Sequence, residues 1–201
     1  MKKVFRFFAI AAIACGMTMA VSCKPDDDGG NGGNGGNDNG PEVLLDEAFE
    51  SGVPAGWTTI DADGDGETWE DFSMPGVNNS KCLSSRSYDN NSGALTPDNY
   101  LVTSELEFAG EYTLTYQVCA QDANYPADHY AVMVGTVSNG VFTPTATLLE
   151  EDLTASKAQG AWLSRSISLK DYKGKKLSIA FRHYNCTDFF MMNLDNVKVA
   201  K

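Results

Sequence analysis

The chain's 201 residues carry 27 Asp and Glu against 15 Lys and Arg, a formal charge of −12, and 42% of them are apolar. That length allows one ordinary domain with its own core. The acidic balance excludes a nucleic-acid partner, whose phosphates require Lys and Arg to displace counterions, and it excludes adsorption to an anionic membrane by charge.

The first 22 residues read as an export signal. Met1-Lys2-Lys3 with Arg6 supplies positive charge, and Phe7 to Ala14 is an apolar run too short to span a bilayer. Ala20-Val21-Ser22-Cys23 resembles a bacterial lipobox, in which small residues admit the signal peptidase and the cysteine thiol takes the lipid. The usual leucine three places before the cysteine is missing. Ala12-Ile13-Ala14-Cys15 is a competing box, but it would leave a very short signal, and the polar chain begins only after Cys23. Cys23 is therefore the expected lipidation site. Lys2, Lys3 and Arg6 leave with the leader, so the remaining 179 residues carry −15. Residues 23–41 continue as Lys24-Pro25-Asp26-Asp27-Asp28 and a Gly/Asn/Asp run to Pro41. That tether has nothing apolar to bury and is expected to be disordered. Lys24 to Asp28 resembles the acidic surface-export signal of bacteroidete-type lipoproteins. The resemblance implies an anchor in the outer membrane with exposure at the cell surface. A plain polar spacer would use the same residues.

Residues 42–201 form the expected domain. Its periodicity is two, the period of a strand with one buried face. Tyr112–Val118, His129–Gly135, Trp162–Leu169, Lys176–His183 and Met192–Val199 alternate and are rich in β-branched and aromatic residues. Val43 to Phe49 gives a first strand, expected to neighbour the last. Turn chemistry separates these runs at Ser138-Asn139-Gly140, at Asp171–Gly174 and at Asn185–Asp188. Thr154 to Gly160 has room for one helical turn. Many short strands predict an all-β, two-sheet sandwich. Trp57, Trp69 and Trp162 are read as core. Three cysteines fall in the domain, so at least one thiol stays unpaired. Cys119 and Cys186 form the bridge to test first, and three buried thiols fit equally well.

Asp61-Ala62-Asp63-Gly64-Asp65-Gly66 is the sharpest motif. Alternate carboxylates before a glycine aim hard oxygens at one cation, which suits Ca²⁺. The twelfth position is Phe72 rather than a chelating Glu, and Trp57 and Trp69 flank the segment in β-like context. An EF-hand is thus not expected, and a solvated acidic turn would use the same residues. Glu50 closes the first strand and Asp195 lies in the last, odd places for acids in a packed sandwich unless they are paired or metal-bound. Asp122, Asp128 and Asp188 sit at strand ends, where turn roles are common. Tyr88 and Tyr125 lie in polar loops, placed to stack on a sugar or anchor a protein. No catalytic motif joins the two histidines, His129 and His183, to a nucleophile, so the domain reads as a non-catalytic binding module.

Four stretches resemble one family. They are Phe49-Glu50 through Trp57 to Gly66, Leu95–Val102, Val118–Val132, and Phe181–Asp188 with Asn193–Val197. Together they resemble the cleaved-adhesin domain of gingipain and haemagglutinin adhesins, also called choice-of-anchor J. The resemblance implies a galactose-binding-like jelly roll with bound Ca²⁺. Residue by residue it implies Glu50 and Asp195 as ligands joining the first and last strands, with Asp61, Asp63 and Asp65 ordering the loop. It also implies non-catalytic binding to host proteins, haem-proteins or surfaces. The alternatives are a carbohydrate-binding lipoprotein that captures glycans, a hydrolase, or a structural envelope protein.

Overall fold

The computed structural model describes residues 42–154 and 161–201. The export signal, Cys15, Cys23, the tether and nearly all of the proposed turn at Thr154–Gly160 lie outside the described residues. The strands are, in order, β1 (Val43–Glu47), β2 (Thr58–Asp61), β3 (Leu83–Arg86), β4 (Tyr88–Asp89), β5 (Gly93–Ala94), β6 (Asp98–Val102) and β7 (Leu106–Glu107). They continue as β8 (Thr113–Ala120), β9 (His129–Ser138), β10 (Val141–Asp152), β11 (Leu163–Ser168), β12 (Lys176–Tyr184) and β13 (Met191–Ala200). Two single-turn 3₁₀ segments, Val77–Asn79 and Lys170–Tyr172, are the helical elements among the described residues.

Two antiparallel sheets form the sandwich. One runs β1-β13-β8-β11, with β3 also paired to β13, and the other runs β10-β9-β12-β6-β2, with β7 also paired to β12. The first and last strands pair as the sequence suggests, Val43 opposite Ala200 and Glu47 opposite Val197. Alternation decides what is inside. Leu114, Tyr116 and Val118 of β8 are buried in the core, while Thr113 and Thr115 are exposed. Tyr116 bridges the sheets, with its ring 5.2 Å from Phe181 and its hydroxyl 3.0 Å from that of Tyr130.

The twelve-residue β10 carries no clear sequence signal, because Pro144 interrupts it. It forms because it is the sheet edge and because the register shifts between Pro144 and Ala146, the places where proline is tolerated. The Asn139-Gly140 turn before it has φ of 51° and 78°, the left-handed pair of a tight hairpin. Trp69 is buried and Trp57 packs against the core, whereas Trp162 is half-buried and belongs to neither apolar cluster. Trp162 is thus not the core residue its type suggests.

Candidate functional site

A bulge creates the first acidic site. Along β13 the core-facing residues are Met192 and Leu194, then Val197 and Val199. The parity switches, and the register with β8 shifts between Asp195 and Lys198. Asn196 takes up the extra residue with φ of 50°, and its side-chain amide donates to Gln117 Oε1 at 2.8 Å. Asp195 is left on the outer face, fully buried beneath residues 76–81. Its Oδ2 accepts from the Val77 N–H at 2.8 Å and the Ser80 hydroxyl at 3.2 Å, and its Oδ1 from the Asn196 N–H at 2.6 Å. Glu50 reaches the same loop, accepting from the Lys81 N–H at 3.4 Å. Burial, with the Glu50 charge acting in the same direction, holds the Asp195 carboxyl above its ordinary range. Among the described residues no basic side chain pairs with either acid.

The second acidic site closes on itself. β2 ends at Asp61, whose carboxylate accepts from Gly64 N–H at 2.6 Å and Gly66 N–H at 2.9 Å. Both glycines have positive φ, 77° and 89°, as this tight loop requires. Asp65 accepts from the Glu67 N–H at 2.8 Å, and Asp63 from the Asp98 N–H at 3.0 Å. Asp61, Asp63 and Asp65 each offer an oxygen within 4.8 Å of the others. Backbone N–H groups, that of Gly66 first, lower the Asp61 carboxyl, whereas burial and then its two acidic neighbours raise that of Asp63. Asp63 and Asp65 are exposed and Asp61 is half-buried. The five acids singled out in the sequence therefore form two groups, Glu50 with Asp195 and the Asp61–Asp65 loop.

Tyr88 and Tyr125 do come together. They line a cleft of about 420 Å³ with Asn90, Asp122, Asp188, Phe189 and Phe190. Tyr125 is 57% exposed. Asp122 shapes its loop, accepting from the Asn124 N–H through Oδ1 at 2.8 Å and from the Tyr125 N–H through its carbonyl at 3.2 Å. On the opposite wall the Phe190 carbonyl accepts from the N–H groups of Ser87 and Tyr88, at 2.9 and 3.1 Å. Those two bonds hold Phe190 at φ of 113°, a conformation that must be held by its surroundings. Phe189 and Phe190 went unnoticed in the sequence, where two adjacent aromatics after a turn were the available signal.

The Cys119–Cys186 bridge is absent, and all three thiols are free. Cys119 lies on β8 among the residues facing away from the core, beside the Asn193 amide at 3.6 Å. Cys186 follows β12 in the other sheet, so the two side chains do not face each other. Burial pushes Cys119 up to about 11, and Cys82 and Cys186 up to about 12.

The Cleaved Adhesin Domain family model matches residues 42–199. The chain belongs to the cleaved adhesin family. It is 45% identical over 175 residues to Hemagglutinin A of Porphyromonas gingivalis and 45% identical over 175 residues to Lys-gingipain W83, in each case over 78% of this chain. The match spans only 6% and 10% of those relatives' lengths. The crystal structure of the K3 cleaved adhesin domain of Lys-gingipain from P. gingivalis W83 superposes with a TM-score of 0.71 at 46% identity, covering 80% of this chain and 99% of that one. TmCBM61, solved in complex with β-1,4-galactotriose, superposes with a TM-score of 0.54 at 13% identity, covering 79% and 97%. At that identity it shares the fold alone. This cleaved adhesin domain is thus an all-β, two-sheet β-sandwich with a jelly-roll fold, as its sequence suggests.

Proposed function

We propose that the chain is a Ca²⁺-stabilised, non-catalytic adhesin module, displayed at the cell surface on a lipid at Cys23 in the outer membrane, that binds a host or surface protein through the aromatic cleft. The observation that carries this reading is the convergence of Tyr88, Tyr125, Phe189 and Phe190 on one cleft. Aromatic side chains offer large contact area at small entropic cost, as binding hot spots require. Among the described residues no helix is long and apolar enough to cross a membrane.

Ca²⁺ fits both acidic groups. Asp195 is a buried carboxylate with another acid beside it and, among the described residues, no basic partner, and the Asp61–Asp65 loop gathers three carboxylates. Glu50 and Asp195 would hold one ion, and Asp61, Asp63 and Asp65 would hold or order another. The ion supplies positive charge where acids crowd. Asp195 ties β13 to the loop at residues 76–81, so the strand pairing and the neighbouring loops are pre-organised for a partner.

Glycan capture is the second reading, favoured by tyrosines in a cleft that also holds Asn90, Asp122 and Asp188 as hydrogen-bonding groups. Binding of the chain to a panel of host serum and matrix proteins and to a glycan array separates the two. Protein binding lost in Tyr125→Ala supports the adhesin reading. Glycan binding lost in the same variant supports the second. Binding that Tyr125→Ala and Tyr88→Ala leave unchanged contradicts both uses of the cleft.

A further inference from the structure

Asp128, His183 and Cys186 meet away from both acidic groups. Asp128 directly precedes β9, His183 lies in β12, and Cys186 follows its end. Asp128 and His183 are fully buried and Cys186 is half-buried. Cys186 Sγ lies 3.1 Å from His183 Nε2, which lies 3.1 Å from Asp128 Oδ1, and Sγ is 3.8 Å from that oxygen. Both contacts to the ring fall on one nitrogen. A nucleophile–imidazole–carboxylate relay needs the two partners on different nitrogens, so this is not a catalytic triad. Thiol, imidazole and carboxylate instead face one point. A tetrahedral ion with bonds of about 2.0–2.3 Å sets its ligands roughly 3.4–3.6 Å apart, and the three observed separations bracket that range.

A second observation points to a missing partner. Among the described residues Asp128 Oδ2 is buried without a hydrogen bond, whereas Oδ1, the oxygen that meets His183 and Cys186, also accepts from the Ser87 hydroxyl at 2.5 Å; an ion held by both oxygens would give Oδ2 its partner. A buried carboxylate oxygen with nothing to bond is costly. The free ring nitrogen is already fixed, since Ser85 Oγ lies 2.8 Å from His183 Nδ1. With Nδ1–H donating to that hydroxyl, the Nε2 lone pair is left for a ligand, the usual outer contact of a metal-bound histidine. A depression of about 360 Å³ lined by Thr96, Pro97, Asn185, Cys186 and Thr187 gives a route to the thiol.

We propose that Asp128, His183 and Cys186 bind one zinc-class divalent ion, which pins the loop before β9 to the loop after β12. Nitrogen and sulfur ligands select this class over Ca²⁺, which takes oxygen. Binding forms the sulfur–metal bond and releases the Cys186 thiol proton to solvent. Thiolate and carboxylate then cancel the two charges of the ion, so the occupied site is neutral. Water from the depression completes the coordination. The two loops carry Asp122 and Tyr125 on one side and Asp188, Phe189 and Phe190 on the other, so the ion fixes the width of the aromatic cleft. Metal binding itself does not depend on what the cleft holds.

Cobalt titration of the full chain tests this, with Cys15→Ala and Cys23→Ala introduced so that only the three domain thiols remain and with Ca²⁺ in excess. One equivalent of Co²⁺ should produce a thiolate-to-metal charge-transfer band and visible bands of four-coordinate strength, and one equivalent of Zn²⁺ should remove them. Cys186→Ser should abolish the charge-transfer band, and Ser85→Ala should weaken Zn²⁺ by about 10–100-fold. If Cys186→Ser fails to fold, Asp128→Asn carries the test, with a loss of Zn²⁺ affinity of about tenfold or more expected. No band in the parent, a band that persists in Cys186→Ser, or unchanged affinity in folded Asp128→Asn would each overturn the site.

Discussion

Asp195 and Asp63 are both aspartates with acidic neighbours, but they sit in different surroundings. Asp195 lies under residues 76–81, out of contact with water, and receives three protein hydrogen bonds. Asp63 lies on an exposed loop that Asp61 already organises through two backbone N–H groups. The difference teaches that burial, more than the number of acids, decides which carboxylates need a cation. Water solvates the charge on the loop, whereas a buried charge must be paired or neutralised. Asp195 should therefore be the proposed ion's main link to stability, and the Asp61–Asp65 loop should respond weakly.

The strongest way to break that comparison is Asp195→Ala. It leaves the Val77 and Asn196 N–H groups unpaired and removes the proposed Ca²⁺ ligand. The expected loss is about 2–5 kcal/mol, read in a thermal melt as roughly 2–4 °C per kcal/mol. Chelation of the parent comes next. At one hundred times the dissociation constant, Ca²⁺ should add about 2.7 kcal/mol, and a chelator should remove it. Asp63→Ala should cost no more than about 1 kcal/mol, since it removes one exposed hydrogen bond. Tyr125→Ala should leave stability within about 0.5 kcal/mol while removing partner binding, which a melt and a binding assay on the same sample would show.

Acidity acts on both aspartates in the same direction. Asp195 and Asp63 have raised carboxyls, so the folded metal-free protein holds their protons more tightly than the unfolded chain does. Their contribution to metal-free stability is therefore gained as the pH falls through the raised values towards the ordinary 3.8. Ca²⁺ must displace those protons, so its affinity should decline over the same window. Calorimetric titrations at descending pH would measure this, and an affinity that holds steady down to the ordinary carboxylate range would contradict it.

The strands were largely legible because a sandwich strand with one face in the core alternates, as β8 does from Thr113 to Val118. β10 was not, because Pro144 is allowed there only by an edge and a bulge, and both are properties of the sheet. Glu50 and Asp195 stood out as acids misplaced in a packed fold. What covers Asp195 did not, since Val77 and Ser80 meet it across more than a hundred residues of chain. The Asp128 cluster went unread, because Asp128 is 55 residues from His183 in sequence and only the pairing of β9 with β12 brings them together. The choice between a Cys119–Cys186 bridge and three free thiols stayed open in the sequence for a related reason. Strand membership was readable for Cys119, but the sheet it joins and the face it presents are decided by the whole topology.

The most direct test is a thermal melt of the Cys23→Ala chain in chelator and in millimolar Ca²⁺, with Asp195→Ala and Asp63→Ala alongside. The account predicts a clear Ca²⁺-dependent rise in the parent, at most a small residual rise in Asp195→Ala and most of the rise in Asp63→Ala. An equal rise in Asp195→Ala and the parent, or no rise in any of the three, would contradict it.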